Sequence, residues 1–208
     1  MITYNRLEYT KLALEALMHV GGGKIFIVDN CSTDGTQAWL KAQPWSISWD
    51  MTLLDENIGI AGAMNIFLSK TLDAKFVAKV DNDTIVPKDF LWKMRQHMLA
   101  ADIVQAKHPL IKASGLGTFD EWTSTMRAEG PLRFNHFVGG SGILFKRHIV
   151  NHIPAVESKI GGWRAWQRMH PQYTKAFATD VEIKLLDTTE KGADYSKYPD
   201  YYKQTGRV

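Results

Sequence analysis

Cysteine is almost missing from this chain: Cys31 stands alone among 208 residues, so no internal disulfide can form. A disulfide-stapled scaffold is excluded, and a reducing, cytoplasmic setting is the expectation. Long apolar runs are missing too. None approaches the roughly 20 residues of a membrane span, so no integral membrane segment is expected. Met1 to Arg6 lack the basic-then-apolar order of a secretory leader. Neither charge sign dominates: the net charge is +3, and the basic residues are scattered where a nucleic-acid binder shows a dense stripe. No nucleic-acid partner is expected. Repeats and low-complexity tracts are absent as well. What remains is a globular balance of 45% apolar and 23% charged residues. The length suits one catalytic-size domain, expected over 1–192, with a tail over 193–208.

The pattern alternates short apolar runs with helical periods. Asn5 is placed to cap a helix from Arg6 to His19, stopped by Gly21-Gly22-Gly23. Lys24 to Asp29 reads as a buried strand, Thr36 to Ala42 as a helix and Met51 to Leu54 as a strand. A helix over Ala61–Lys70 precedes a strand over Phe76–Asp81. Pro87 opens a helix to Ala100, and Ile103–Ala106 is a strand. This βαβα order predicts one mostly parallel, Rossmann-like sheet with helices on both faces, binding ligands beyond the carboxyl ends of its strands. Asp29 and Asp81 end two of those strands. Leu110 to Pro131 has no period and reads as a long loop. Phe137 to Phe145 reads as a glycine-rich turn feeding a strand, and Ala178 to Thr188 as a helix.

Five constellations can carry chemistry, each with a plainer alternative. In Asp81-Asn82-Asp83 two carboxylates can converge on one hard cation that bridges diphosphate oxygens; otherwise they are a solvated strand end. Asp29 can accept the N–H of a uracil ring, while Ser32, Thr33 and Asp34 cap the next helix. Asn57, Gly59 and Gly62 allow close approach of a ligand, or simply start a helix. Gly139-Gly140-Ser141-Gly142 offers amides and little bulk, as a sugar-facing wall or a bulge would. Asp180 and Glu182, in Thr179-Asp180-Val181-Glu182, can supply a general base, or Thr179 and Asp180 only a helix cap.

The order T-Y-N-R (Thr3 to Arg6), V-D-N-x-S-T-D-G, E-N-x-G, D-N-D, G-G-S-G and T-D-V-E resembles glycosyltransferase family 2, inverting enzymes of the GT-A fold. The resemblance spans Ile2 to Leu186, and Gly161-Gly162-Trp163 is similar to the family's run into its base motif. It implies a hexosyltransferase using a nucleotide sugar, a UDP-sugar such as UDP-glucose, with Mn2+ or Mg2+ and an unidentified saccharide, lipid or protein acceptor. It implies a nucleotide site of Thr3, Tyr4, Asp29, Asn57, Gly59, Gly62, Asp81 and Asn82. Asp83 would be the direct metal ligand and Asp81 a water-mediated one. Gly139 and Gly140 would face the donor sugar, and Asp180 would be the base with Glu182 supporting or replacing it.

Three features depart from the family pattern. Only Met1 and Ile2 precede T-Y-N-R, so the first strand is expected to be absent or vestigial, or the chain to be a compact version with a shortened N-terminus. Met64 stands where an arginine is common, and Leu185-Leu186-Asp187 supplies no arginine after the base motif. Two rival readings use the same residues. D-x-D-x-T also resembles the first motif of haloacid-dehalogenase-type phosphatases, and a non-catalytic sugar-nucleotide-binding module would keep the pocket without turnover. His170 could complete a metal site, and Trp163 and Trp166 could stack on a sugar, although core packing is the plainer role for all three.

Overall fold

The structure, a computed structural model, describes residues 1–44, 49–108, 118–155, 162–189 and 192–204. The first half runs β1 (Ile2–Thr3), α1 (Leu7–Met18), β2 (Phe26–Asp29), α2 (Thr36–Ala42), β3 (Asp50–Leu53), α3 (Gly59–Ser69) and β4 (Phe76–Lys79). It continues with β5 (Thr84–Ile85), α4 (Phe90–Gln96) with a 3-10 extension over His97–Leu99, and β6 (Ile103–Lys107). The second half holds α5 (Phe119–Thr123), β7 (Ala128–Glu129), β8 (Leu132–Phe134), β9 (Ile143–Lys146) and α6 (Gly162–Met169). It ends with β10 (Lys175–Glu182), β11 (Lys184–Leu185), β12 (Thr188–Thr189), β13 (Gly192–Ala193) and α7 (Pro199–Gln204).

β1 is short but central. It pairs in parallel with β2, and Ile2 also bridges Asp81 in parallel, its N–H donating to the Val80 carbonyl at 3.3 Å. The β1-β2-β3 sheet thereby meets the β4-β9-β6-β10-β8-β7 sheet through β1. Within those two sheets β9 and β8 run against their neighbours, and the remaining strands share one direction. The order 3-2-1-4 brings the carboxyl ends of β2, β1 and β4 side by side, the arrangement that makes a ligand crevice in an open α/β sheet. The first strand is therefore present, two residues long and with a full place in the sheet.

Each face has its own core. On one, Met64, Phe67 and Leu68 of α3 and Trp163 and Trp166 of α6 pack on Val77, Phe145 and Phe177. On the other, Phe90, Met94 and Met98 pack on Val104, Leu144, Ala176 and Ala178. Fully burying one such side chain contributes about 1.5–3 kcal/mol, so both layers are held chiefly by apolar burial.

Two elements depart from the sequence reading. Ala178–Thr188 is not a helix: β10 carries the chain through Glu182, and β11 pairs antiparallel with β5. A strand buried on both faces shows no alternation, and its alanines have high helix propensity, so local signals mislead there. Asn5 does not cap α1. The residue before the helix is Arg6, in the left-handed region at φ 62, with no side-chain cap. Leu110 to Gly117 lie outside the described residues, but beyond them the expected loop holds α5, with a capping box from Thr118 and Glu121, and β7.

Candidate active site

The carboxyl ends of β1 and β2 are knotted around Asp29. Its carboxylate is fully buried and accepts from the Thr3 hydroxyl (2.6 Å), the Ser32 N–H (2.9 Å), the Ser32 hydroxyl (2.6 Å) and the Gln37 amide (2.8 Å). Four donors fill the acceptor capacity of a carboxylate. Asp29 and Thr3 therefore brace the turn, and the expectation that Asp29 accepts from a uracil ring gives way to that structural role. Asn57 joins the same knot. Its carbonyl oxygen accepts from the Asn30 amide and the Gly59 N–H, both at 2.9 Å, while the Ile58 N–H donates to Asn30. Gly59 takes φ 74, which only glycine adopts freely. At Gly62 an added Cβ would lie 2.8 Å from Ile58 Cγ1, so its smallness serves the packing of its own turn.

Among the described residues three non-glycine residues have left-handed φ, Asn5, Arg6 and Cys31, and all lie on these turns. Such outliers persist where neighbours over-determine the backbone. Here the Asn5 N–H donates to Ser32 Oγ, the Asn5 side chain accepts from the Thr33 N–H, and the Asn82 amide donates to the Asn5 carbonyl. This path aims the Arg6 side chain at the acidic motif. Its guanidinium donates to Asp83 Oδ2 at 2.8 Å and Asn82 Oδ1 at 2.6 Å. Tyr201 lies 4.2 Å from the guanidinium by its ring centroid, and the Tyr202 hydroxyl accepts at 3.2 Å. Burial works hardest against the Arg6 charge, but Asp83, Tyr201 and Tyr202 together outweigh it and hold the group firmly protonated. Tyr201 also faces the Tyr4 ring at 5.8 Å, so α7 of the tail covers the T-Y-N-R turn.

Asp81 has a different partner. Lys79, almost fully buried, donates to Asp81 Oδ1 at 2.5 Å and to the Gly140 carbonyl. Ser141 Oγ accepts the Asp81 N–H at 2.9 Å and bonds Thr84 at 2.8 Å. The glycine-rich turn is thus clamped to D-N-D by Lys79 and Ser141. Gly139 and Gly140 differ. A Cβ on Gly139 would sit 2.6 Å from the Gln105 amide, whereas on Gly140 the nearest atoms are 3.7 Å away. Gly139 is small because the protein packs on it, and its carbonyl accepts from the Trp163 indole at 2.9 Å. Trp163 stacks on Trp166 at 5.3 Å, and His170 stacks on Trp166 at 4.4 Å; the two tryptophans are buried core, and His170 lies half-buried against them. Gly161 lies outside the described residues.

The expected direct metal ligand, Asp83, is closed by Arg6 and nearly buried, whereas the Asp81 side chain is 28% exposed. Among the described residues no group of three His, Cys, Asp or Glu could hold a metal. Of the two, Asp81 is the one open to a cation, which would have to displace Lys79, and Asp83 is not in this arrangement.

The T-D-V-E segment is split by a register shift in β10 between Ala178 and Glu182. Asp180 bonds His97 Nε2 at 2.9 Å, on the α4 side of the sheet, and so is turned from the Gly140 and Lys79 face. Val181 and Ile183 are buried in the α4-side core, which sends the exposed Glu182 between them to the opposite face. The chain then returns to the acidic motif, where the Leu186 N–H donates to the Asp83 carbonyl at 2.7 Å. The expectation that Asp180 is the base beside the donor thus loses its geometric support. Sequence reasoning missed Lys79, Gln105 and the tail tyrosines, and gave Ser141 no role within its glycine-rich motif. A buried lysine two residues before D-N-D was the one signal that could have flagged the first of them.

No curated protein matches the chain. Solved structures share its fold. Residues 1–349 of TarS from S. aureus, in complex with UDP-GlcNAc, superpose with a TM-score of 0.66 at 16% identity, covering 97% of this chain and 62% of that one. The mannosyltransferase PcManGT from Pyrobaculum calidifontis, with GDP-Man and Mn2+, gives 0.65 at 19% identity over 91% and 56% of the two chains. GalNAc-T7 with UDP, GalNAc and Mn2+ gives 0.67 at 9% identity over 100% and 46%. The chain thus spans less than two thirds of each of these relatives. The Glycosyl transferase family 2 model matches residues 1–154, from the T-Y-N-R turn through D-N-D and the glycine wall but short of T-D-V-E. This chain, GT-A in fold and built around those motifs, belongs to glycosyl transferase family 2.

Proposed function

We propose that the protein transfers a hexose from a nucleoside diphosphate sugar, a uridine one such as UDP-glucose in preference, to an acceptor hydroxyl, with inversion at the anomeric carbon. The observation that carries the reading is the convergence of the T-Y-N-R turn, the Asn57 turn, D-N-D and Gly140 on one sheet edge within the family-matched segment. TarS and GalNAc-T7, solved with uridine nucleotides, support uridine; PcManGT, solved with GDP-Man, marks guanosine as the competitor. With Asp29 enclosed, a uracil ring is met at the rim by Tyr4 and Asn57, while Asp81 and Asn82 border the ribose and diphosphate.

Asp81 is the residue to hold a divalent cation, Mn2+ or Mg2+, which when bound offsets charge on the leaving diphosphate. Gly140 leaves room for the sugar. Glu182 takes the proton of the acceptor hydroxyl as its oxygen bonds the anomeric carbon, and the electron pair of the broken glycosyl bond leaves with the diphosphate. One displacement inverts the centre.

The test is a panel of nucleotide sugars with and without Mn2+, read by nucleotide release and by proton NMR of the first product. UDP-sugar turnover with an inverted product is expected. Glu182→Gln should keep nucleotide binding and lower turnover by about 10²–10⁴-fold, whereas Asp180→Asn should act mainly through stability. A retained configuration, or an active Glu182→Gln beside an inactive, folded Asp180→Asn, would overturn the mechanism.

A further inference from the structure

The sheet edge opposite the candidate site is where α1, α3 and α4 end. Large apolar side chains stand in solvent there. Met18 closes α1 and is 50% exposed, Leu72 follows α3 at 72%, and Trp92 and Leu99 on α4 and its extension are 66% and 96% exposed. Scattered exposed apolar residues are ordinary; four large ones gathered on one edge mark an interaction surface. α4 shows the segregation within one element. Phe90, Met94 and Met98 are buried, while Trp92, Arg95 and Leu99 share the outer face.

The same edge is basic. A groove of about 790 Å³ is lined in part by Lys75, Trp92, Arg95 and Leu99, and a second of about 560 Å³ in part by Lys24, Lys75 and Arg95. The two share Lys75, Phe76 and Arg95 and so form one furrow. Lys70 and Lys146 beside it are paired to Asp50 and Asp102. Lys24, Lys75 and Arg95 have no ion pair among the described residues. Asp73 is the other carboxylate lining the furrow.

We propose that this edge docks on an anionic lipid surface. Leu72, Trp92, Leu99 and Met18 enter the boundary between headgroups and acyl chains, and Lys24, Lys75 and Arg95 meet acidic headgroups. The pattern disfavours other occupants. A second copy placed symmetrically on this face would set these cations against one another. A saccharide would call for several stacking rings, and the most exposed side chains here are aliphatic. No described helix is long and apolar enough to cross a membrane, so the contact is interfacial. Docked this way, the candidate site faces away from the lipid and stays open to solvent.

The full chain should sediment with phosphatidylcholine vesicles that contain phosphatidylglycerol and not with pure phosphatidylcholine vesicles, and salt should weaken the binding. Lys75→Glu with Arg95→Glu should lower partitioning at least about tenfold. Leu72→Ser with Leu99→Ser should lower it by a similar factor while the melting temperature holds. Equal binding to both vesicle types, no binding to either, or a dimer that Leu99→Glu dissociates would overturn the proposal. These residues lie away from the transfer site, so sugar transfer to a soluble acceptor should be unchanged in every variant, and the vesicle result stands apart from the glycosyltransferase reading.

Discussion

Two acidic sites lie side by side on the carboxyl edge of the sheet, and they are neutralised in opposite ways. Asp29 is held by neutral donors alone, from Thr3, Ser32 and Gln37. The D-N-D carboxylates are each matched by a cation, Asp83 by Arg6 and Asp81 by Lys79. A carboxylate saturated by short-range dipoles is a structural knot with no acceptor sites left for a ligand. A carboxylate balanced by a single opposite charge can exchange that partner for another cation. The difference separates architecture from chemistry between residues that look equally functional in the sequence.

Arg6→Met breaks the comparison most severely. It leaves Asp83 buried beside no cation, and such losses cost about 3–5 kcal/mol. Urea unfolding should register it, and Arg6→Lys should recover only part, since a lysine lacks the planar fork whose two terminal nitrogens reach Asp83 and Asn82 separately. A wild-type midpoint in Arg6→Met would show that the pair holds nothing together.

Asp29→Ala and Asp81→Asn sharpen the contrast. The first orphans several buried donors, at about 1–3 kcal/mol for the group left unsatisfied, and should lower the melting temperature. The second removes the counter-charge of the buried Lys79, so it should lower the melting temperature as well as weaken Mn2+-dependent nucleotide binding. If Asp29→Ala stayed as stable as wild type and lost UDP affinity selectively, the two roles would have to be exchanged.

Tyr202→Phe probes the tail's grip on the same cluster. The hydroxyl donates to Asp187 at 3.1 Å and accepts from Arg6, so its loss should cost about 1 kcal/mol. Burial pushes the Tyr202 pKa upward from its ordinary 10.0. A folded-state pKa raised in this way contributes stability that is complete below pH 10 and is lost as pH climbs toward the folded value. Unfolding measured across alkaline pH should therefore fall less steeply in Tyr202→Phe than in wild type.

The smallest effect belongs to Asp102, where β6 begins. Burial there raises its pKa, but Lys146 and Thr174 outweigh that and hold it below the ordinary 3.8. Its contribution is present above the unfolded value and disappears as pH falls through the folded one. Asp102→Asn should make acid unfolding shallower by a fraction of a kcal/mol.

The sequence determined the first half of this protein well. Apolar runs ending in Asp29 and Asp81, with helical periods between them, marked β2, β4 and the helices that cover them, and the order of the motifs carried the family. These signals are local, and periodicity and turn chemistry act over a few residues. The tertiary structure decided the rest. β10 read as a helix because a strand buried on both faces has no alternation, and its register shift, invisible in composition, is what parts Asp180 from Glu182. Arg6 meets Asp83 across 77 positions and Tyr202 across 196. Whether a carboxylate is a strut or a ligand depends on which donors the fold delivers to it, and a sequence names the carboxylate without naming those donors.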